Sequence, residues 1–253
     1  MFEVTTDLAL LLIIAGFLAG LVDAIAGGGG LITVPVLLLA GASPLQALAT
    51  NKLQGTFGAA TALITYTRAG QVRPGEQLTM ALTSGLAGAG GALVAHAVPV
   101  EVLRAVMPVV LVGIALFFAL KPGLTDDARA RRISPALFTF AAVPVIGAYD
   151  GFFGPGTGSF FMMAFVMLAG LGVLKATAHT KMVNFASNLG SLLVLVTTGA
   201  TWWAVGLAMA GAQILGAFIG ARLAVRVGGR VIKPLLVVTS TAMALRLAWQ
   251  AIG

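Results

Sequence analysis

The sequence predicts an all-α polytopic membrane protein of two inverted-topology repeats, each of about five helical segments, with glycine-interrupted half-helices near the membrane midplane. Three observations predict it. The 253 residues are 59% hydrophobic and 9% charged, with a mean hydropathy of +1.03, whereas a soluble domain is about half apolar and about a quarter charged. The apolar residues fall into segments of the length that crosses a bilayer, about 20 residues each. The first half of the chain also resembles the second.

Five apolar segments precede a central polar stretch, at residues 8–26, 31–41, 45–69, 77–97 and 101–120. Five follow it, at 134–150, 159–171, 174–198, 203–225 and 231–251. In each half the first two segments are short and joined by glycines. Lys121 to Arg132 is the polar run long enough to be a linker, so the chain divides into a membrane repeat at 1–120, a linker at 121–133 and a second membrane repeat at 134–253. Trp202 and Trp203 read as interfacial anchors.

The repeat is visible residue by residue. Gly20, Asp23, Gly27 and Gly29 match Gly147, Asp150, Gly154 and Gly156. After a two-residue insertion, Lys52 matches Lys181, Gly70 matches Gly199, Gly91-Ala92 matches Gly220-Ala221, and Val102 and Arg104 match Val231 and Lys233. Glycine identities arise by chance in a chain with 33 glycines. Paired Asp and paired Lys inside apolar segments do not.

Cytoplasmic loops collect Lys and Arg, and this decides the orientation of the repeats. With five crossings per half, one side receives Arg68, Arg73, Lys121, Arg129, Arg131, Arg132, Lys175, Arg222, Arg226, Arg230 and Lys233, and the other receives Arg104 and Arg246. An even number of crossings per half would divide the same charges almost equally. The inverted reading places the linker in the cytoplasm and both termini outside. The acidic start, with Glu3 and Asp7, does not read as a cleaved signal peptide.

The composition excludes several classes. The basic excess of 15 Lys and Arg over 8 Asp and Glu sits in short loops, where membrane topology explains it better than nucleic-acid binding. The absence of cysteine excludes disulfides and thiolate metal sites. No metal and no cofactor are expected. The partners expected are a small anion and the lipid bilayer, with a homodimer left open.

The chemistry is expected where the backbone breaks. Gly-interrupted hydrophobic segments at matching positions of two inverted repeats point to a secondary transporter's substrate site. Here the breaks are Gly27-Gly28-Gly29-Gly30 and Gly154-Pro155-Gly156-Thr157-Gly158-Ser159. Each leads into a helical segment whose first N–H groups and positive dipole end suit an anion. Helix packing is the plainer role for glycine, and is the reading for Gly88, Gly91, Gly216 and Gly220.

Lys52 and Lys181 lie about eight residues into long helices, ~12 Å deep at 1.5 Å per residue. A lysine there costs ~2.5–3.5 kcal/mol on insertion scales, so it is expected to serve the site rather than face lipid; snorkelling is the alternative. Thr177, Lys181, Asn184, Asn188 and Ser191 share one helical face, with Asn51, Gln54, Gly55 and Gly58 as a weaker counterpart. Asp23 and Asp150 sit at helix C-termini, where the dipole disfavours an anion. Each must be protonated, paired with a base, or bonded to loop N–H groups. Proton coupling and loop capping are the two roles open to them. His179 is a further candidate for proton coupling.

The stretches Gly20 to Gly30 (GLVDAIAGGGG), Ala49 to Gly55 (ATNKLQG), Tyr149 to Ser159 (YDGFFGPGTGS) and Lys175 to Asn188 (KATAHTKMVNFASN) resemble the TauE/SafE sulfite and organosulfonate exporter family through nearly the whole chain. The resemblance implies a multi-pass protein of the bacterial inner membrane that moves small, mostly sulfur-containing anions. A secondary transporter is therefore expected, with a passive anion channel or a carrier of another organic anion as the alternatives. A membrane-embedded enzyme would need a nucleophile with a base in reach. Ser159 with His179 can be named for that role, but no carboxylate completes a triad, so no enzyme is expected.

Overall fold

A computed structural model describes residues 6–120 and 130–228. The segment expected at 231–251, and most of the linker, lie outside the described residues. The other expected segments are all helical. In order they are α1 (Thr6–Ala26), α2 (Gly30–Leu39), α3 (Pro44–Arg68), a 3-10 turn at Pro74–Gln77 leading into α4 (Leu78–Ala97), and α5 (Val100–Leu120). After the linker come α6 (Pro135–Leu137), a π turn at Phe138–Ala142, α7 (Val143–Phe152), α8 (Thr157–Met167), α9 (Val173–Val196) and α10 (Trp203–Val227).

Local chemistry sets the ends. α1 stops at Gly27 and Gly28, whose φ values of 78° and 90° lie in the left-handed region open to glycine. α2 has 10 residues, or ~15 Å, half the ~30 Å hydrocarbon core. α3 begins at a capping box: the Gln46 amide donates to the Ser43 hydroxyl at 3.3 Å, and the Ser43 amide donates to the Gln46 side chain at 2.8 Å. Pro44 follows at the first helical position, where its missing N–H costs nothing.

The second half differs from expectation in two respects: the segment expected at 159–171 is helical over Thr157–Met167, and the first segment is not a regular helix. The span Pro135–Phe152 is interrupted by the π turn, in which the Val143 amide reaches back to the Phe138 carbonyl. Pro144 supplies the reason. Its ring cannot donate and would meet the carbonyl of residue 140 in a regular helix, and the wider turn accommodates it.

Among the described residues, four stretches are long and apolar enough to cross a membrane: Thr6–Ala26, Pro74–Ala97, Pro135–Phe152 and Trp203–Val227. They surround α3 and α9, which pack on each other at the centre. The central pair carries most of the buried polar side chains, among them Thr50, Asn51, Lys52 and Gln54 on α3 and Thr177, Lys181, Asn184, Ser187 and Asn188 on α9. The outer helices turn Leu10, Ile14, Leu82, Leu86, Leu207 and Leu215 outward. A polar centre inside an apolar jacket is the arrangement lipid imposes, because ionisable groups there must face protein or a cavity.

Each half contributes its first helix to the other. α1 packs chiefly on α10, and α7 packs on α4. Glycine makes both seams possible. A Cβ on Gly16 would lie 2.8 Å from the Met209 carbonyl, and one on Gly147 would lie 2.8 Å from the Ser84 carbonyl. Gly216 and Gly220 abut the Phe17 and Leu21 carbonyls, while Gly88 and Gly91 abut those of Ser187 and Ala148. Close approach through small residues is how membrane helices gain packing contact.

The same contacts fix relative directions. Gly16 meets Met209 and Gly220 meets Leu21, so α1 and α10 run parallel. Gly206 meets Thr50 and Leu53, and Gly58 meets Gln213, so α3 is parallel to α10. On the other side, α4 runs parallel to α7, with Ser84 at Gly147 and Gly88 at Gly151. It also runs parallel to α9, with Gln77 at His179 and Ser84 at Val183.

Candidate functional site

The two glycine breaks meet back to back between the halves. A Cβ on Gly27 would overlap the backbone of Gly158 and Ser159, and one on Gly158 would lie 2.9 Å from the Gly27 Cα. Only glycine permits that approach. The Ser159 hydroxyl ties the breaks together, donating to the Ala26 carbonyl at 2.9 Å. Tyr149 donates to the Pro155 carbonyl at 2.6 Å, and Thr157 to the Gly154 carbonyl at 2.6 Å. Gly156, with φ 83°, starts α8 from the left-handed region. Most first-turn amides of α2 and α8 donate to carbonyls of the breaks themselves, Leu31 to Gly28, Ile32 and Thr33 to Gly29, Thr157 to Gly154, and Ser159 and Phe160 to Gly156. Those of Gly30 and Gly158 have no hydrogen-bond partner among the described residues, as expected of helix N-termini.

Beside this junction, each lysine pairs with the aspartate of the opposite half. Lys52 Nζ is 2.7 Å from Asp150 Oδ1, and Lys181 Nζ is 3.0 Å from Asp23 Oδ2. Lys181 also donates to the Asp23 carbonyl. The carboxylates have second partners: Ser187 donates to Asp150 Oδ2 at 2.7 Å, and the Gly29 amide to Asp23 Oδ1 at 3.3 Å. Of the three conditions open to these aspartates, the structure holds pairing with a base, joined for Asp23 by a loop amide. The pairs are not equivalent. Lys52 and Asp150 are sealed, at 1% and 2% side-chain exposure, while Asp23 retains 13%.

The carboxylates face a cavity of about 20 Å³, a little more than the ~10–15 Å³ one water needs. Its wall is formed by glycines of both breaks (Gly28, Gly29, Gly30, Gly154, Gly156 and Gly158), with Thr157, Asn51, Asn184 and Asn188. Asp23, Asp150, Gly55 and Gln213 complete it. Of the residues expected at a substrate site, Gly27, Ser159, Lys52 and Lys181 are not on this wall. The first two form the seam, and the lysines stand behind the carboxylates. His179 is elsewhere. Its Nδ1 lies 2.6 Å from Gln77 Nε2, and its ring lies against Phe165.

The asparagines are oriented by their neighbours. Thr33 donates to Asn51 Oδ1 at 2.6 Å, and Asn188 Nδ2 donates to Asn184 Oδ1 at 3.1 Å and to the Asn184 carbonyl at 2.7 Å. With those oxygens occupied, Asn51 and Asn184 each have an amide nitrogen to donate, and Asn188 presents its oxygen. The ends of the polar stripe on α9 turn inward on themselves. Thr177 bonds the Val173 carbonyl and the Met162 sulfur, and Ser191 bonds the Ser187 carbonyl.

Gln213 was not among the residues singled out from sequence, yet it lies on the wall with its Oε1 buried and unbonded among the described residues. It stands inside the apolar α10, so a search for buried polar residues in apolar runs would have found it. Ser187, the second partner of Asp150, hides among the small residues of α9 and gives no such signal.

Comparison with known proteins finds relatives named as membrane transporters. The sequence model of the sulfite exporter TauE/SafE family matches residues 12–247. A Sinorhizobium protein named "Probable membrane transporter protein ORF9" is 55% identical over 236 residues, covering 93% of this chain and 90% of its own length. "Probable membrane transporter protein YfcA" of Escherichia coli K12 is 42% identical over 254 residues, 100% of this chain and 94% of its own. A "Probable membrane transporter protein" of Haemophilus influenzae is 39% identical over 247 residues, covering 98% and 97%. No solved structure matches the chain.

Proposed function

We propose, from the premise that this chain belongs to the TauE/SafE sulfite exporter family, that this membrane transporter carries a small sulfur-containing anion such as sulfite or an organosulfonate outward across the inner membrane. It works as a secondary transporter by alternating access. The observation that carries this reading is the donor set at the junction of the two breaks. Asn51 and Asn184 keep amide nitrogens to donate, and the unbonded amides of Gly30 and Gly158, at the starts of α2 and α8, belong to the same cavity wall. The two lysines and two aspartates balance one another, so the site selects through N–H groups and helix dipoles rather than net positive charge.

Inverted repeats are supported by the helix directions. α9 and α10 are joined by six residues, 197–202, which span at most ~25 Å. Asn188 of α9 lies beside Gly55 of α3, and the start of α10 lies beside Thr50. The short connection is met if α9 runs against α3. Then α1, α3 and α10 share one direction and α4, α7 and α9 the other, which reverses each helix relative to its counterpart. Arg68, Arg222 and Arg226 at the ends of α3 and α10 then join Arg73, Arg131, Arg132 and Lys175 on one face, the cytoplasmic side by charge. The linker lies on that side and both termini on the periplasmic side.

The cavity holds about one water, so admitting a sulfite-sized anion requires the halves to separate on one side. Rocking of inverted repeats about a central site does this. The test is a thermal-shift screen of the purified protein against sulfite, sulfate, thiosulfate, sulfoacetate, taurine and short carboxylates, followed by flux in reconstituted vesicles. Stabilisation by a sulfur oxyanion and gradient-coupled flux are expected. Stabilisation by carboxylates alone would reassign the cargo, and flux independent of any coupling gradient would make the protein a channel.

A further inference from the structure

Outside the central site, a cavity of about 620 Å³ opens between the C-terminal ends of α3 and α10. Arg68, Arg222 and Arg226 rim it, and Ile64, Phe218 and Val225 form its apolar side. None of the three arginines has a carboxylate partner among the described residues. The Arg222 guanidinium lies 4.0 Å over the Phe218 ring, a stacking that holds a planar cation without neutralising it.

The repeat offers an internal control. In the register that matches Lys52 with Lys181, the positions corresponding to Arg68, Arg222 and Arg226 are Thr197, Leu93 and Ala97. The other half builds the same helix ends, on the opposite face in the inverted reading, without any of the three charges, so the fold itself does not require them. A general positive-inside bias places basic residues in loops, but it does not gather around one cavity with an apolar side three guanidinium groups that lack a carboxylate partner among the described residues.

We infer that this cavity binds an acidic phospholipid, its phosphate between the three arginines and an acyl chain along Ile64, Phe218 and Val225. Basic pockets between membrane helices take anionic headgroups in this way, and arginine suits phosphate through paired N–H donors. Inorganic phosphate shares the headgroup chemistry but has nothing to place on the apolar side. Because the cavity joins α3, which carries Asn51 and Lys52, to α10, which carries Gln213, a lipid seated there clasps two walls of the central site.

The experiment uses the full chain purified in detergent. Phosphatidylglycerol, phosphatidylcholine or inorganic phosphate is added, and lipid retention is read by native mass spectrometry beside thermal stability. Phosphatidylglycerol is expected to be retained with a preference of about tenfold to 100-fold over phosphatidylcholine, the span that up to three basic groups near an acidic headgroup provide. The variant Arg68→Thr/Arg222→Leu/Arg226→Ala, which carries the other half's residues, should lose that preference, and the triple Arg→Lys variant should keep part of it. Equal retention of the two lipids by the unaltered protein would overturn the inference, even if neither variant folds. So would an undiminished preference in the first variant, or an arginine-dependent stabilisation by inorganic phosphate equal to that by lipid.

Discussion

At the scale of single residues, the centre of the molecule turns on the ion pairs. Removing one partner of a buried pair leaves an unmatched charge and costs ~3–5 kcal/mol, while replacing both with apolar residues is often neutral. Lys52→Ala is therefore expected to destabilise strongly, and Lys52→Met with Asp150→Leu to recover most of the loss without restoring vesicle flux. Thermal unfolding beside flux checks both, and a transporting double variant would reduce the pair to a brace. Asp23→Asn should cost less stability than Asp150→Asn, because Asp23 retains contact with the cavity at 13% exposure. All four charged residues were legible in the sequence as misplaced charges in apolar segments. Their pairing was not, since helical periodicity relates neighbours on one helix and says nothing of which carboxylate meets which amine across the halves. That pairing also moves the amines off the cavity wall, where they had been expected.

At the scale of helices, the fine structure of the seams separates glycines that composition alone cannot distinguish. Gly151 abuts the Gly88 carbonyl across the α4–α7 seam, whereas a Cβ on Gly211 meets nothing within 4 Å. Gly151→Ala should cost ~1–3 kcal/mol through overpacking. Gly211→Ala, at an exposed helical position, should be neutral or stabilising by up to ~1 kcal/mol. Melting of the two variants in the same detergent decides, and equal behaviour would mean that the seam relaxes freely. Helix ends were readable where glycine breaks the chain, as at Gly27 to Gly30, because its effect is local; the Ser43–Gln46 capping box is equally local and was not singled out. The π turn at Phe138–Ala142 was not readable, because Pro144 can kink, end or widen a helix, and its surroundings choose among these.

At the scale of the whole molecule, the likeness of the two halves was read from the sequence and interpreted as an inverted repeat, whereas the packing of α1 on α10 and of α7 on α4 was not legible there. Periodicity carries no information about which apolar face seeks which. The chain has no cysteine, so single cysteines report topology without background. Cysteines at Gly70 and Arg131 should label from the cytoplasmic side, and cysteines at Val98 and Thr198 from the periplasmic side. If Gly70 and Thr198 label from the same side, the halves are not inverted.

The exchange of charges between halves bears on biosynthesis. The ribosome delivers Asp23 and Lys52 into the bilayer well before their counter-ions, Lys181 and Asp150, have been polymerised. The nascent chain must therefore shelter two uncompensated groups, in the translocation machinery or by transient protonation changes, until α7 and α9 arrive. A fragment ending at the linker would remain a client of membrane quality control, however apolar its helices.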